Sequence, residues 1–392
     1  MIHFKDIKKS TNDVGTRVDI IYSVNETSDK LYFQMNRKVD LDNDTLAVLL
    51  STLCGRVYKK IVYDFYISDK ILEELKKFTL ADVIRTENTS TCINTLSMND
   101  RKNVTLNFSG GFDSLAAYCL MRVSAKLCSM DYGGRFSREN NFFERFDTFI
   151  VSTNILDTEL KKNSWSFMGS ASILSNIFLQ TKYNSFGSIL ESAPANISVN
   201  AAGAKNISFP PFKMLGMKNA NYVGGLTEVG TALIILKYRN DLIKSSLESL
   251  ASAGEEKRFK KQILIETVSN KFGYNISLEH IEPPVKGYFD FGTSFTTDFL
   301  LFYIIKNGSF ERYSSIYKSV PQEVFDIANN LSLSFYERVN TDFYINFPVE
   351  LKSDLYAKFC ECELEFYTYN DWKEFDVIRT FLSKYYKDIE LI

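Results

Sequence analysis

The chain has 392 residues, 45% of them hydrophobic, and a formal net charge of −2, which is length enough for two or three domains with cores of their own. A pI near 5.9 argues against bulk nucleic-acid binding, though not against one nucleotide in a pocket. No apolar run approaches the ~20 residues of a membrane span, the N-terminus has no signal-peptide core, and the six cysteines form no Cys-x-x-Cys pair. A cytoplasmic protein without membrane contact is therefore expected.

In chain order, 16–24 and 31–35 alternate as a hairpin would, 46–54 reads as a helix, 60–67 as a strand and 68–78 as a capped helix. These form an N-terminal α+β module over 1–100, followed by an exposed connection at 88–91, Asn-Thr-Ser-Thr. The stretch 103–121, NVTLNFSGGFDSLAAYCLM, then gives a short buried strand, a glycine turn and a helix start. That order makes a phosphate cradle. Gly110 and Gly111 let the backbone approach an oxyanion, and the helix's positive end favours negative charge. Ser109 and Ser114 add hydroxyl donors, and Asp113 is placed to hold Mg²⁺ on a polyphosphate. A glycine turn with Asp113 or Ser114 as the helix cap is the plainer reading of the same residues. No Gly-Lys-Ser/Thr follows, so the loop is not of the Walker A kind.

From 104 to about 240 strand and helix alternate, which predicts a doubly wound parallel sheet. Strands are expected at 126–130, 148–152 and near 185–190, helices at 169–180 and 226–238. In such sheets ligands sit at the carboxyl ends of the strands, which would line up the Ser109 loop, Asp131, Ser152, Thr153, Asn154 and Glu191. The stiff loop 209–213 carries Lys213 and leads to Lys218; it reads as a surface loop or as a route for a lysine to phosphate. The basic stretch 257–261, flanked by Glu255 and Glu256, reads as a solvated helix face. Cys119 and Cys128 sit among apolar residues and are expected in the core. Only His3 and His280 are present, which makes a histidine triad or multi-histidine metal site unexpected. Past 285 the chain is rich in aromatics and amphipathic helices. The domains expected are thus 1–100, 101–284 and a mainly helical 285–392, its aromatics forming core or, as the minor alternative, a partner surface.

Ser109-Gly110-Gly111-Phe112-Asp113-Ser114 resembles the PP-loop of the N-type ATP pyrophosphatases, an α/β fold of the adenine nucleotide alpha hydrolase-like kind. Those enzymes cleave ATP between the α and β phosphates and bind pyrophosphate in this loop. The resemblance implies ATP and Mg²⁺ at Ser109 to Ser114. The stretch Met130-Asp131-Tyr132-Gly133-Gly134-Arg135 is similar to one in 7-cyano-7-deazaguanine synthases, which adenylate a 7-deazaguanine acid and convert it with ammonia. By that likeness Asp131, Tyr132 and Gly133 border the nucleotide, and Arg135 faces a phosphate or carboxylate; a strand-end turn with solvated charges is the alternative.

The sequence also departs from that family. Where the synthases carry zinc cysteines, 245–250 reads SSLESL, and no cysteine lies between 128 and 360, so no zinc is expected. Their Leu-Thr-Lys finds its counterpart in Leu226-Thr227-Glu228, a lysine exchanged for glutamate. Thr227 and Glu228 are then substrate-side candidates, with Glu191 and Lys213, or simply a capped helix start. Ile2 rules against an N-terminal cysteine nucleophile that would generate ammonia in cis. The resemblance implies an enzyme that adenylates a carboxylic acid and passes it to ammonia or another amine. Zinc-less proteins of this kind occur in bacterial antiviral gene clusters, where a protein amine would be the acceptor and the terminal modules would dock a partner. Another PP-loop amide ligase, a tRNA-modifying enzyme and a non-catalytic ATP-binding subunit are the alternatives.

Overall fold

The computed structural model describes residues 1–87, 101, 103–121, 125–199, 209–252, 254–284 and 286–391; the connection expected at 88–91 lies outside them. The fold is α/β and divides into two compact units, Met1–Ser109 with Ala125–Ser185 and Ser208–Asn219, and Gly110–Ser124 with Phe186–Ile207 and Ala220–Ile392. These units cut across the three segments read from the sequence. Among the described residues no helix is long and apolar enough to cross a membrane.

The first unit is built on one ten-stranded sheet. Strands β1 (Ile2–Asn12), β2 (Gly15–Val24) and β3 (Thr27–Met35) form an antiparallel meander. Asn25 and Glu26, with φ of 45° and 76°, make the tight turn between β2 and β3, since two left-handed residues match the twist of a hairpin. Helix α1 (Asn43–Ser51) starts at Asp42, whose carboxylate accepts the Thr45 N–H, and α2 (Asp69–Thr79) buries Ile71 and Leu75. Strands β4 (Lys60–Tyr63) and β5 (Asp82–Arg85) extend the sheet in parallel from β1. After β6 (Asn103–Asn107) the chain leaves for α3 (Phe112–Leu120) of the second unit. It returns through β7 (Lys126–Asp131), α4 (Ser137–Phe143), β8 (Thr148–Thr153), α5 (Ser170–Ser175), β9 (Thr181–Phe186), α6 (Pro210–Met214) and β10 (Lys218–Asn219).

The strand order is β10-β9-β6-β7-β8-β3-β2-β1-β4-β5. β6, β7 and β8 are parallel, as are β9 and β10. The chain therefore steps from β6 outwards to β8, then crosses back to lay β9 on the other side of β6, as a doubly wound sheet does. Crevices for ligands form where the order reverses, beyond the carboxyl ends; here that is between β6 and β9.

Two expectations need correction. The N-terminal strands do not form a module of their own: β3 pairs antiparallel with β8 through Phe33–Thr153, Gln34–Ser152 and Met35–Val151, so they continue the sheet of the loop-bearing strand. The strand expected near 185–190 lies earlier, at Thr181–Phe186, and the helix expected over 169–180 spans only Ser170–Ser175. The strand's displacement has a physical cause. The face between β6, β9 and α5 is polar: Thr105 and Thr181 hydroxyls meet at 2.6 Å, Asn107 donates to Asn184 at 2.6 Å, and Ser172 donates to Asn107 at 2.8 Å. Buried groups satisfied in pairs carry no hydrophobic period.

Beyond α3 the second unit is mainly helical, with one short parallel pair of strands at Phe289–Asp290 and Tyr317–Ser319. It contains α7 (Glu228–Tyr238), α8 (Ile243–Leu250), α9 (Glu256–Phe272), α10 (Phe295–Lys306), α11 (Gln322–Asn330), α12 (Val349–Glu361) and α13 (Tyr369–Leu382). α7 is buried from Glu228 to Leu236. Aromatics from the C-terminal helices and turns form its core: Phe299, Phe302, Tyr303, Phe335 and Tyr336 are fully buried. The Phe335 and Tyr336 rings lie 4.3 Å apart and the Phe299 and Tyr336 rings 4.9 Å.

Candidate functional site

β6 buries Val104, Thr105 and Leu106 in succession, as a strand covered on both faces must. Gly110 follows at φ 76°, and Gly111 caps α3 without a side chain; the first conformation favours glycine. The Gly110 carbonyl accepts the Ser246 hydroxyl of α8 at 2.6 Å, and the Ser114 hydroxyl turns back to the Gly111 carbonyl at 3.0 Å. Ser246 thus ties the loop down in the very region where the resemblance would place zinc cysteines. Gly187 lies flush on the helix start. A Cβ there would stand 2.6 Å from the Ser114 nitrogen and 2.9 Å from its Cα. Phe112 is buried.

Asp113 is the second residue of α3, its side chain 24% exposed. Thr231 of α7 donates to its Oδ1 at 2.9 Å, and the Lys261 Nζ of α9 lies 3.5 Å from Oδ2. The same ammonium is 3.0 Å from Glu228 Oε1. Glu228 and Lys261 are 11% and 12% exposed. The Glu228 N–H donates to Glu191 Oε1 at 2.6 Å, while Glu191 Oε2, fully buried, has no hydrogen-bond partner. Burial, then the neighbouring Glu228 and Asp113 charges, hold the Glu191 carboxyl well above the usual carboxylate range. At Lys261 burial opposes the charge, but Asp113, Glu228 and Glu191 outweigh it and the ammonium is held above its ordinary value. The cluster is therefore a cation between two carboxylates, backed by a third, buried carboxyl group.

The structure brings Asp113, Glu228 and Glu191 together in the second unit. Thr227 belongs there as the cap of α7: its hydroxyl accepts the Val229 and Gly230 N–H groups at 3.2 and 3.3 Å and donates to the Tyr336 carbonyl at 2.6 Å. Asp131, Tyr132 and Gly133 lie in the first unit, at the carboxyl end of β7. Asp131 accepts the Gly133 N–H at 2.9 Å and the Ser152 hydroxyl at 3.0 Å, an arrangement that shapes the turn. Tyr132 donates to Met168 Sδ at 3.0 Å, and burial pushes its phenol up. Gly133 has φ 66°. The Arg135 side chain lies outside the described residues. Thr153 and Asn154 fasten β3 instead of facing the rim: Thr153 donates to the Tyr32 carbonyl at 2.7 Å, and Asn154 accepts the Tyr32 N–H at 2.9 Å. Lys213, on α6, and Lys218 are exposed on the first unit. Ser109, which ends the first segment of the first unit, is exposed.

Four functional candidates escaped the sequence reading: Gly187, Thr231, Ser246 and Lys261. For Lys261 the reading was wrong. Of the basic stretch, Lys257 is exposed, yet Lys261 turns inward to the carboxylates. Oxygen donors such as Asp113 suit Mg²⁺, which takes one or two carboxylates together with phosphate oxygens. Among the described residues no three or more His, Cys, Asp or Glu side chains group as a metal site. Compared with family models, curated proteins and solved structures, the chain matches none.

Proposed function

We infer that the chain binds ATP through its polyphosphate at Ser109 to Ser114 and uses it to adenylate a carboxylic acid. The observation that carries the reading is the start of α3: Gly110 at positive φ, Gly111 as a bare cap, and Asp113 in the first turn within reach of an ammonium. Backbone N–H groups and helix dipole there favour an anion, and the strand order reverses beside the strand that feeds the loop.

Asp113 would hold Mg²⁺, whose part is to neutralise polyphosphate charge. In the reaction an oxygen of the substrate carboxylate attacks the α phosphorus. The bond from the α phosphorus to the bridging oxygen breaks, and pyrophosphate leaves with the electron pair. An amine then attacks the acyl carbon, AMP departs, and the amine proton passes to solvent. No protein nucleophile enters. The loop positions and stabilises charge, from which most of the rate comes. The acid favoured is of the 7-deazaguanine type, from the likeness of Asp131, Tyr132, Gly133 and Arg135 to the synthases. The acceptor is ammonia or another amine, a protein amine included, and a role in antiviral defence fits that choice.

The test is release of AMP and pyrophosphate from Mg²⁺-ATP, with and without 7-carboxy-7-deazaguanine. Stimulated release is expected in the wild type and none in Asp113→Ala with its fold intact. Full activity in that variant would end the reading. ATP binding without AMP formation would assign a non-catalytic, ATP-binding subunit instead.

A further inference from the structure

We propose that Lys261 is a phosphate-binding residue of this site, moving from Asp113 to a phosphoryl oxygen when a metal–polyphosphate complex enters at the loop. This rests on the reading of Ser109 to Ser114 as a polyphosphate site. Three observations carry it. The Lys261 nitrogen is buried and makes no hydrogen bond of good geometry, although an ammonium has three donors. Its two ion pairs are unequal, 3.0 Å to Glu228 and 3.5 Å to Asp113, so the looser one faces the residue expected to take the cation. Finally, it lies 5.9 Å from the ring centroid of Phe112, the first residue of α3. An unsatisfied buried donor is costly, and an oxyanion at the start of α3 would supply its missing acceptor.

The arrangement also explains Glu228. Where the resemblance leads one to expect a lysine, this chain has a glutamate, and the ammonium arrives from α9 to pair with it. Glu228 is then the holder of Lys261, a positioning residue and not a ligand of the acid. Glu191 braces the pair through the Glu228 N–H.

The experiment is calorimetric titration of the full chain with Mg²⁺-pyrophosphate and with Mg²⁺-ATP, for wild type, Lys261→Met and Lys261→Arg. Both ligands are expected to bind Lys261→Met about thirtyfold or more weakly, the scale of losing one member of a buried charge pair, and Lys261→Arg much nearer to wild type. Because Lys261→Met strands two carboxylates, Lys261→Met/Glu228→Gln is measured beside it. In wild-type protein labelled with ¹⁵N-lysine, the Lys261 Nζ resonance is expected to shift on adding Mg²⁺-pyrophosphate. Wild-type affinity in Lys261→Met or in the double variant, or an unmoved resonance at saturation, would overturn the proposal and leave the ATP reading standing. A wild type that binds neither ligand would overturn both. One that binds pyrophosphate but not ATP would refute only the nucleotide, with Lys261 still judged on pyrophosphate.

Discussion

Glu191 has no exposed surface, accepts one N–H through Oε1 and leaves Oε2 without a partner. Burial, first, and the charges of Glu228 and Asp113 raise its folded pKa above the unfolded value. Between those two values the folded chain holds a proton that the unfolded chain has lost. The slope of unfolding free energy with pH follows the protons bound unfolded minus those bound folded, so it is negative in this window. Stability contributed by neutral Glu191 is therefore fully present below the ordinary carboxylate range and declines as pH rises above it, by at most about 1.4 kcal/mol per pH unit. Glu191→Gln keeps an acceptor for the Glu228 N–H and cannot ionise. Urea unfolding at pH 5 to 8 is expected to show a flatter decline in the variant and equal or greater stability at pH 8. An identical slope would show that Glu191 does not titrate in this way.

At the scale of elements, the loop and its helix were readable because a strand, two glycines and a helix start are consecutive and each needs a specific backbone. β9 was displaced in the reading because three of its four buried residues, Thr181, Asn184 and Ser185, are polar, and Thr181 and Asn184 pair with β6, which hydrophobic periodicity cannot register. Lys261 was hidden for another reason. Four cations fall within five residues, and which of them turns inward depends on carboxylates of α3 and α7 that are remote in sequence. Gly187 belongs to the same class, since its backbone conformation is ordinary and only the closeness of α3 demands glycine. Gly187→Ala places a Cβ against backbone atoms that cannot rotate away. It is expected to cost about 1–3 kcal/mol, as overpacking does, and to weaken Mg²⁺-pyrophosphate binding by shifting the start of α3. Urea midpoints and calorimetry would measure both, and a variant equal to wild type in each would show that the helix start is not so confined.

For the whole molecule, three successive segments were expected, and the chain instead weaves two units from five changes of unit. The N-terminal strands were legible one by one, but their membership in the loop strand's sheet was not, because β3 meets β8 mainly through backbone pairs that leave no side-chain pattern. The C-terminal helices were legible as helices with a buried aromatic face, while their duty towards α7 was not. A fragment of residues 101–284 tests this organisation. In the first unit it would bare the edge of β8 and remove the Tyr32 and Lys30 partners of Asn154, and an unpaired central strand invites association with other chains. In the second it would strip the Tyr336 carbonyl from Thr227, the Asn340 N–H from the Gly225 carbonyl and the Tyr344 hydroxyl from the Gly225 N–H. Each loss exchanges an internal hydrogen bond at the start of α7 for one to water, at roughly 0.5–1.5 kcal/mol apiece, and the buried face of α7 loses its aromatic cover, against a total stability of about 5–15 kcal/mol for a domain. The fragment is therefore expected to be aggregated or to lack dispersed amide resonances, whereas the full chain unfolds cooperatively. A monomeric 101–284 with dispersed amides and its own urea transition would mean that the loop, α3 and α7 hold together without the terminal segments.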